Sequence, residues 1–316
     1  MTTGGSTSAT SSGPSGAEPG VRPALQPGRT ARINRSKYLR RKSTDAIMGG
    51  LCTFAAVLGL VFLALILFTL LSKGLRGMSL DLFIHKTMTP GNHGGLANAI
   101  VGTLMQVAIG AVIGTPLGIA IGVWLAEIGR NGRLASIVRF VNDILLSAPS
   151  VLIGLFVYQV IVKPTGNFSA LAGGIALALI AMPVIARTTE DIIRLVPDAY
   201  REGSVALGAR PSTTILQVVL PAASGGILTG VLLAVARIAG ETAPLIVTSL
   251  GNLNWNFDLM RATASLPMTI YRYASSPYKE WVDLGWAGAL LITFGVLALN
   301  IASRVTMYYR ARGRRA

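Results

Sequence analysis

Two oppositely charged residues stand four positions apart in an otherwise uncharged stretch of the sequence. Arg237 and Glu241 are the only charged residues within positions 225–250. On a helix this spacing places both side chains on one face, where they can form an ion pair. A charge at the centre of a lipid bilayer costs about 2.5–3.5 kcal/mol on insertion scales, so such residues usually face a protein interior or an aqueous cavity.

The sequence leaves two roles open for this pair. In the first, the two charges neutralise each other and fix the packing of their helix. In the second, Arg237 lines a path for an anion and Glu241 orients it, because a guanidinium offers planar, bidentate donors to an oxyanion.

The residues that follow the pair favour the second role. Pro244 cannot donate to the carbonyl of Gly240, so the helix should kink or break between them. Backbone groups freed at membrane depth are tolerated where they line a cavity. Three hydroxyl side chains add donors, although hydroxyls in a span more often bond to their own helix; these are Thr242, Thr248 and Ser249.

The composition indicates that lipid surrounds most of this chain. Of its 316 residues, 52% are hydrophobic and 13% are charged, and its mean hydropathy is +0.59. Typical soluble proteins carry about 25% charged residues, so the composition argues against a soluble enzyme. The single cysteine, Cys52, excludes an internal disulfide and any multi-cysteine metal site, and we expect it to be a small buried apolar residue.

Uncharged runs predict the membrane-spanning helices, since a bilayer core needs about 20 apolar residues per helix. Residues 1–46 are rich in Gly, Ser, Thr and Pro and predict a disordered basic tail. Six spans are predicted at residues 47–72, 96–126, 144–162, 168–186, 225–250 and 284–303. With the tail inside, the inner segments carry most of the lysines and arginines, so both termini are expected in the cytoplasm.

Sequence motifs for catalysis or metal binding are absent. The chain has no G-x-x-x-x-G-K-[ST] loop and no H-E-x-x-H, so we expect it neither to hydrolyse a nucleotide by that mechanism nor to act as an enzyme alone. His85 and His93 lie in the first outer loop, which offers too few ligands for a metal.

The inner loop over residues 187–221 is the longest charged loop between spans. Asp198 is a candidate N-cap, Gly208 a candidate helix end, and Pro211 suits the first turn of a second helix. Together these residues predict a short helix, a turn at glycine and a second helix. From the residues alone, a docking site for a partner and a solvated connector remain equally open.

This loop resembles the cytoplasmic signature of the permeases of ATP-binding-cassette importers. The resemblance rests on Glu202 and Gly208, followed at the family's distance by Leu220 and Pro221. In that family the loop forms a coupling helix that sits in a groove of a separate ATPase subunit. Residues 203–204, Gly and Ser, depart from the family's usual pair of alanines.

Further segments are similar to the PstA group of phosphate-specific (Pst) importers within this family. The resemblance covers positions 96–303 and is carried by residues 142–150, 187–190, 236–245 and 266–271. It implies an all-α integral membrane protein of six transmembrane helices, with a type I importer (MetI-like) core over residues 96–305.

The same resemblance implies partners and an energy source. This chain would pair with a PstC-type permease, with a dimer of PstB-type ATPases inside and a PstS-type phosphate-binding protein outside. ATP with Mg²⁺ would be bound by the ATPase, and this chain would bind no cofactor. Three other functions stay open: a permease for another oxyanion such as sulfate or molybdate, an ion-driven secondary carrier, and a membrane scaffold or signalling subunit.

A second group of polar residues is interpreted as a gate at the inner mouth of the path: Asp143, Ser147, Arg187 and Glu190. Asp143 lies one turn after Arg139, so an interfacial ion pair is favoured over contact with substrate. Ser147 lies where the same span could open. For Arg187 and Glu190, gating and plain solvation remain equally open.

Overall fold

The computed structural model describes residues 35–91, 94–130 and 132–313. The first 34 residues, which make up most of the predicted disordered tail, lie outside these ranges. Helix α1 begins at Arg35, so the prediction of disorder was wrong for residues 35–46. The reason is that the apolar helix after them provides a nucleus, and extending a helix is far easier than starting one.

Helices account for most of the described residues, and no strand occurs among them apart from an isolated bridge between Leu250 and Thr263. The α-helices are α1 Arg35–Arg76, α2 Asp81–Ile84, α3 Ala97–Val123, α4 Arg133–Ser147, α5 Ser150–Val157, α6 Lys163–Thr165, α7 Ala170–Arg194, α8 Asp198–Ala206, α9 Pro211–Thr213, α10 Leu220–Ala239, α11 Ala243–Thr248, α12 Leu266–Ala274 and α13 Lys279–Gly313. Three π-helical segments join them: π1 Trp124–Gly129, π2 Tyr158–Val162 and π3 Thr214–Val219.

Within the described ranges, five helical stretches are long and apolar enough to cross a membrane: Arg40–Arg76, Ala97–Gly129, Ala170–Arg194, Pro211–Ala239 and Lys279–Ala302. A sixth is the pair formed by Arg133–Ser147 and Ser150–Thr165, which is bent by 105°. The predicted all-α class with six spans is therefore confirmed.

Two of the predicted span boundaries were wrong. The span predicted at 144–162 is divided at Ala148, whose backbone is extended because the following proline disfavours the helical conformation. The span predicted at 225–250 runs instead over Pro211–Ala239 and ends before Glu241.

The chain divides into two compact units between Val61 and Phe62, inside α1. In the first unit the described part of α1 exposes its apolar side chains, for example Phe54. Cys52 is exposed as well, contrary to the expectation of burial. A single helix has no core in which to bury a small side chain, and an apolar surface of this kind suits lipid.

In the second unit, α3 and α7 pack closely through small residues. Four positions on α3 approach α7 in register, and each partner on α7 lies 67 positions further along the chain. The pairs are Gln106 with Gly173, Gly110 with Leu177, Gly118 with Ile185, and Gly122 with Thr189. The constant offset shows that the two helices run parallel, and small side chains at such contacts allow helix backbones to approach.

The apolar core lies around α7. Two-thirds of its most apolar 18 residues are buried, the largest share among the five continuous spans. Ile153 of α5, Ile238 of α10 and Leu245 of α11 pack there with Leu177 and Ile185. Helix α7 therefore sets the positions of α3, α5, α10 and α11.

We predict that Gly118→Leu destabilises the protein by about 1–3 kcal/mol, the usual cost of overpacking a core. A β-carbon at Gly118 would lie 2.8 Å from Cβ of Ile185 and 2.9 Å from the carbonyl oxygen of Met182. The thermal midpoint of the detergent-solubilised protein measures the effect. Gly295→Leu is the matched control, because nothing lies within 4 Å of a β-carbon there, and equal midpoints for the two variants would contradict the prediction.

Candidate functional site

The break predicted between Gly240 and Pro244 is present. Helix α10 ends at Ala239, residues 240–242 are not helical, and α11 begins at Ala243. Pro244 has no N–H to donate, and its ring would clash with the carbonyl of Gly240 in a continuous helix.

Arg237 lies at the last turn of α10, inside the packed part of the protein. The neighbouring Ile238 contacts the α3–α7 interface near Gly110 and Leu177. Leu177 is seven residues into α7, so the turn lies about 10 Å along that helix at 1.5 Å per residue. The break therefore lies beside the part of α7 that is long and apolar enough to cross a membrane. Its depth in the membrane stays a prediction.

The ion pair between Arg237 and Glu241 is loose. Arg237 Nε lies 3.9 Å from Glu241 Oε1, which is beyond hydrogen-bond distance. The Arg237 side chain is 50% exposed and that of Glu241 is 19% exposed. Glu241 therefore does not occupy the donors of this half-exposed guanidinium, and a guanidinium with free donors can bind an anion bidentately.

Helix α11 is fixed on two sides, which positions the break. On one side, a β-carbon at Gly154 of α5 would lie only 2.6 Å from Cα of Pro244, so the two helices touch through glycine. On the other side, Gln106 Nε2 of α3 donates to Ser249 Oγ at 2.9 Å, and Ser249 Oγ donates to the carbonyl of Thr263 at 2.6 Å. Gln106 was not predicted from the sequence, although an amide in the middle of an uncharged, apolar span was a usable signal.

The three hydroxyl residues near the break differ in their surroundings. Thr248 is fully buried and donates to the carbonyl of Pro244 at 2.7 Å, within its own helix. Ser249 is also fully buried, between Gln106 and Thr263. Thr242 is partly exposed and lies in the break itself. Of the three, Thr242 alone has the position expected of a residue that lines a path.

The four candidate gate residues separate into two groups, of which the first surrounds Glu190. Arg139 Nε and Arg194 Nη2 each lie 2.7 Å from Glu190 Oε1, and the Glu190 side chain is 3% exposed. Arg139 also donates to the carbonyls of Leu125 and Arg130. Glu190 is therefore a buried link between α4, α7 and π1. The alternative that Glu190 is simply a solvated surface residue is wrong.

The second group is exposed and centres on Arg187. Its guanidinium lies 3.8 Å from Asp143 Oδ1 and 3.3 Å from Asp191 Oδ2. Asp143 thus pairs with Arg187, and the expected pair with Arg139 is wrong because Arg139 is held by Glu190. Ser147 donates to the carbonyl of its own helix and ends α4 at the bend.

The loop after α7 has the predicted helix, turn and helix. Helix α8 ends at Ala206, and Gly208 has φ +79°, a left-handed conformation that a β-carbon would strain. Helix α9 begins at Pro211 as predicted. Pro197 rather than Asp198 occupies the N-cap position, since Asp198 is already helical and accepts a hydrogen bond from Arg201.

Leu220 and Pro221 lie at the start of α10, directly after π3. A proline inside a long helix lacks an N–H and collides with an earlier carbonyl, and a π-helical turn before it accommodates that defect. The Pro211–Ala239 stretch therefore stays continuous through Pro221.

Arg201 attaches α8 to the rest of the protein. Its Nη2 lies 2.7 Å from Glu127 Oε1 in π1. Nη2 also donates to the carbonyl of Ile193, and Nη1 donates to the carbonyl of Val196. The side chains of Arg201 and Glu127 are only 14% and 7% exposed. The hydrogen bond with Glu127 raises the pKa of the Arg201 guanidinium above its ordinary value. The sequence analysis missed this pair, because its residues stand 74 positions apart.

The exposed face of α8 and the residue after it carry apolar side chains that no other part of the described ranges covers. Leu207 is 91% exposed, and Tyr200 and Val205 are more than half exposed. Glu202 is exposed on the same helix, between Tyr200 and Val205 in sequence. A protruding helix with such a surface fits a groove on another protein.

Among the described residues, no three His, Cys, Asp or Glu side chains form a group that could hold a metal ion. His85 Nδ1 lies 3.4 Å from Asp81 in α2. His93 lies outside the described ranges.

Comparison with known proteins identifies the class. Residues 118–315 match the model of the family described as binding-protein-dependent transport system inner membrane component. The fold resembles that of an inward-facing MetNI methionine ABC transporter, with a TM-score of 0.58 at 20% identity over 68% of this chain and 95% of that chain. It also resembles a bacterial ABC transporter involved in alginate import, with a TM-score of 0.61 at 12% identity over 86% and 99%. The chain is a permease of the binding-protein-dependent class.

Curated relatives identify a smaller group within this family. A protein from Haemophilus influenzae is 48% identical over 87% of this chain and 97% of its own length, and one from Yersinia pestis is 50% identical over 87% and 93%. A protein from Methanocaldococcus jannaschii is 36% identical over 82% and 90%. The first two are named phosphate transport system permease protein PstA, and the third is named as a probable one. The chain belongs to the PstA family.

We predict that Glu190→Ala lowers the free energy of unfolding by about 1.5–3 kcal/mol, because it removes the charged acceptor of a hydrogen bond from Arg139, whose side chain is only 21% exposed. Asp258→Ala is the matched control, since it removes an exposed carboxylate from its pair with Arg261 and such pairs contribute about 0–1 kcal/mol. Thermal midpoints of the purified variants compare the two. A Glu190→Ala midpoint equal to that of the control would show that the buried pairs contribute nothing.

Proposed function

We propose that this chain is the membrane permease of an ATP-driven importer that moves inorganic phosphate across the cytoplasmic membrane. The observation that carries this proposal is the half-exposed Arg237 beside the helix break after Ala239, a break that we place at membrane depth. Relatives with about half their residues identical over nearly their whole length are named as phosphate permeases. Those names favour phosphate over sulfate or molybdate, and the family favours ATP coupling over an ion-driven carrier.

In this proposal, the anion passes along the face of α10 that carries Arg237. Phosphate at neutral pH is a mono- or dianion, and the planar fork of a guanidinium binds two of its oxygens together. Glu241 keeps Arg237 in place without occupying its donors, because the two groups approach no closer than 3.9 Å. Thr242 and the backbone freed by Pro244 complete the polar surface of the path.

Energy is supplied from outside this chain. A dimer of PstB-type ATPases binds ATP with Mg²⁺, and the apolar face of α8 docks in a groove of one ATPase. A PstC-type permease completes the path through the membrane, and a PstS-type protein delivers phosphate from outside. This orientation puts α8, and with six spans both termini, in the cytoplasm.

The proposed gate is the exposed cluster around Arg187. Its two carboxylate partners come from α4 and from α7 itself. Both contacts are longer than 3 Å and exposed, so they can break at little cost when the inner mouth opens. Glu190, by contrast, belongs to the fixed part of that mouth.

We predict that Arg237→Gln abolishes phosphate uptake while the complex still assembles, because the path loses its positive charge. Lysine at this position keeps the charge but loses the planar fork, so partial uptake is expected. The measurement is uptake of labelled phosphate by cells that lack other phosphate importers, with membrane abundance checked for each variant. Arg261→Gln, in an exposed pair near the start of α7, is the control and should keep normal uptake.

A double variant tests the alternative that Arg237 only balances Glu241. If so, Arg237→Gln with Glu241→Gln should restore uptake, since no unpaired buried charge remains. Full rescue would contradict the substrate role, and continued loss of uptake in a well-assembled double variant supports it. Competition of uptake by sulfate or molybdate tests the choice of anion.

A further prediction concerns the turn after α8. Gly208→Val should leave the protein inserted but uncouple ATP hydrolysis from uptake, because a β-branched residue at φ +79° is strained and moves the turn. The reconstituted complex is assayed for phosphate-stimulated ATP hydrolysis and for uptake. Normal values of both would remove the coupling role from this turn.

Gly203→Ala is the matched control within the same loop. Gly203 lies inside α8, nothing lies within 4 Å of a β-carbon there, and its φ is not positive. Alanine at this position strengthens the helix by about 0.5–1 kcal/mol. We expect this variant to couple at least as well as the natural protein.

A further inference from the structure

We propose that the buried pair of Arg201 and Glu127 is the mechanical linkage that carries the displacement of α8 to the end of α3. Both residues are then positioning residues, which act through the helices that they join. The inference rests on the proposed function, in which an ATPase moves α8.

All five N–H donors of Arg201 are used within this chain. Nε and one donor of Nη2 bind Glu127 at 3.1 and 2.7 Å, and the other Nη2 donor binds the carbonyl of Ile193 at 3.0 Å. Nη1 donates to the carbonyl of Val196 at 2.6 Å and to Asp198 Oδ1 at 3.2 Å. A guanidinium with no spare donor is not a ligand site, and its contacts leave α8 little freedom to move alone.

The linkage joins α8 to three places at once. Glu127 belongs to π1, which continues α3, Ile193 belongs to the last turn of α7, and Val196 lies between α7 and α8. A second contact, between Ser204 Oγ and Thr214 Oγ1 at 2.9 Å, joins α8 to π3, and both hydroxyls are buried. The serine that replaces the family's alanine thus strengthens the attachment of α8 to the permease.

Segment π1 is the point where these contacts meet. Glu127 in π1 forms the ion pair with Arg201 of α8. Arg139 of α4 donates to the carbonyl of Leu125 in π1 and to that of Arg130 just after it. Arg130, just after π1, has φ +32°, a conformation that non-glycine residues rarely adopt. A π-helical turn with such an end is a local defect that can change its hydrogen bonding more easily than a regular helix.

In this proposal, α3 transmits the displacement of α8 from π1 to the helix break between α10 and α11. This helix carries Gln106, which holds Ser249 at the end of α11, and α11 begins next to Glu241 and Thr242. Gln106 and Glu127 are 21 residues apart on one helical stretch, which spans about 30 Å at 1.5 Å per residue. One continuous helical stretch, α3 with π1, therefore connects the linkage to the element that positions the anion site.

The competing explanation is that the pair only stabilises the fold. Loss of stability lowers the amount of assembled complex and does not change how much substrate each assembled complex moves per ATP. The linkage predicts the reverse: assembled complexes hydrolyse ATP but transport less for each ATP. The ratio of transport to hydrolysis separates the two explanations.

The test uses the full complex reconstituted in vesicles, with the ATPase, the partner permease and the binding protein. Arg201→Gln and Glu127→Gln remove one charge each; Glu127→Gln keeps the side-chain size, whereas Arg201→Gln also shortens the side chain. Phosphate transported per ATP hydrolysed should fall about tenfold or more, within the range typical of coupling between sites. Arg201→Lys, which keeps the charge but cannot make five hydrogen bonds, should give an intermediate ratio, and the exposed Arg261→Gln should give the natural one.

A chemical bridge supplies a readout that a purely structural role would not produce. In a Cys52→Ser background the variant Arg201→Cys with Glu127→Cys is joined by a short bifunctional thiosulfonate, which a reductant removes. The ratio should be low before bridging, rise at least about fivefold on bridging and fall again on reduction. Cys52 is the single natural cysteine of this chain, so its replacement leaves no other cysteine here for the reagent. The same treatment of the complex that carries only Cys52→Ser is the control for reaction with the other subunits.

Two results would overturn the linkage: a natural ratio in both glutamine variants, or a bridged protein whose ratio stays as low as the unbridged one. Failure of the proposed function has a different signature, since the natural complex would then transport no phosphate. In that event the same ratio is measured with the anion that the natural complex does transport, so the two failures are told apart.

Discussion

The close approach of α3 and α7 is the constraint on which the other contacts of this permease depend. Glycines along α3 meet α7 in one register, with each pair 67 positions apart in the chain. That register brings Gln106 to Ser249 at the end of α11, and at the other end it places Glu127 and the carbonyl of Ile193 within reach of the same guanidinium, Arg201. A bulky residue in the stripe, for example at Gly118 or Gly122, would separate the helices and displace both ends together.

The charged residues divide by burial into two kinds. Glu190 and Arg201 are buried and hydrogen-bonded to more than one element, so they hold the α8 side of the protein in a fixed arrangement. Arg237 and Arg187 are about half exposed, and their ion pairs are longer. Largely buried charges with close ion-pair partners suit structure, whereas exposed and loosely held charges are available to a ligand or to a moving partner.

Residues with strong backbone preferences were predicted well. The break at Pro244 and the left-handed turn at Gly208 follow from one residue and its neighbours, so no tertiary contact was needed to find them. The wrong predictions concern residues whose environment comes from elsewhere in the chain. Asp143 pairs with Arg187 because Glu190, which is distant in sequence, holds Arg139, and the helix starting at Arg35 depends on the apolar stretch that follows it.

The sequence by itself determined the class of protein, the number of spans, the helix break and the helix–turn–helix loop after α7. Each of these depends on local composition or on the conformational limits of proline and glycine, which any fold must respect. Only the tertiary structure decided which arginine meets which carboxylate. The partners Arg201 and Glu127 stand 74 positions apart, and their pairing follows from the packing of α3 beside α7, which local periodicity does not encode.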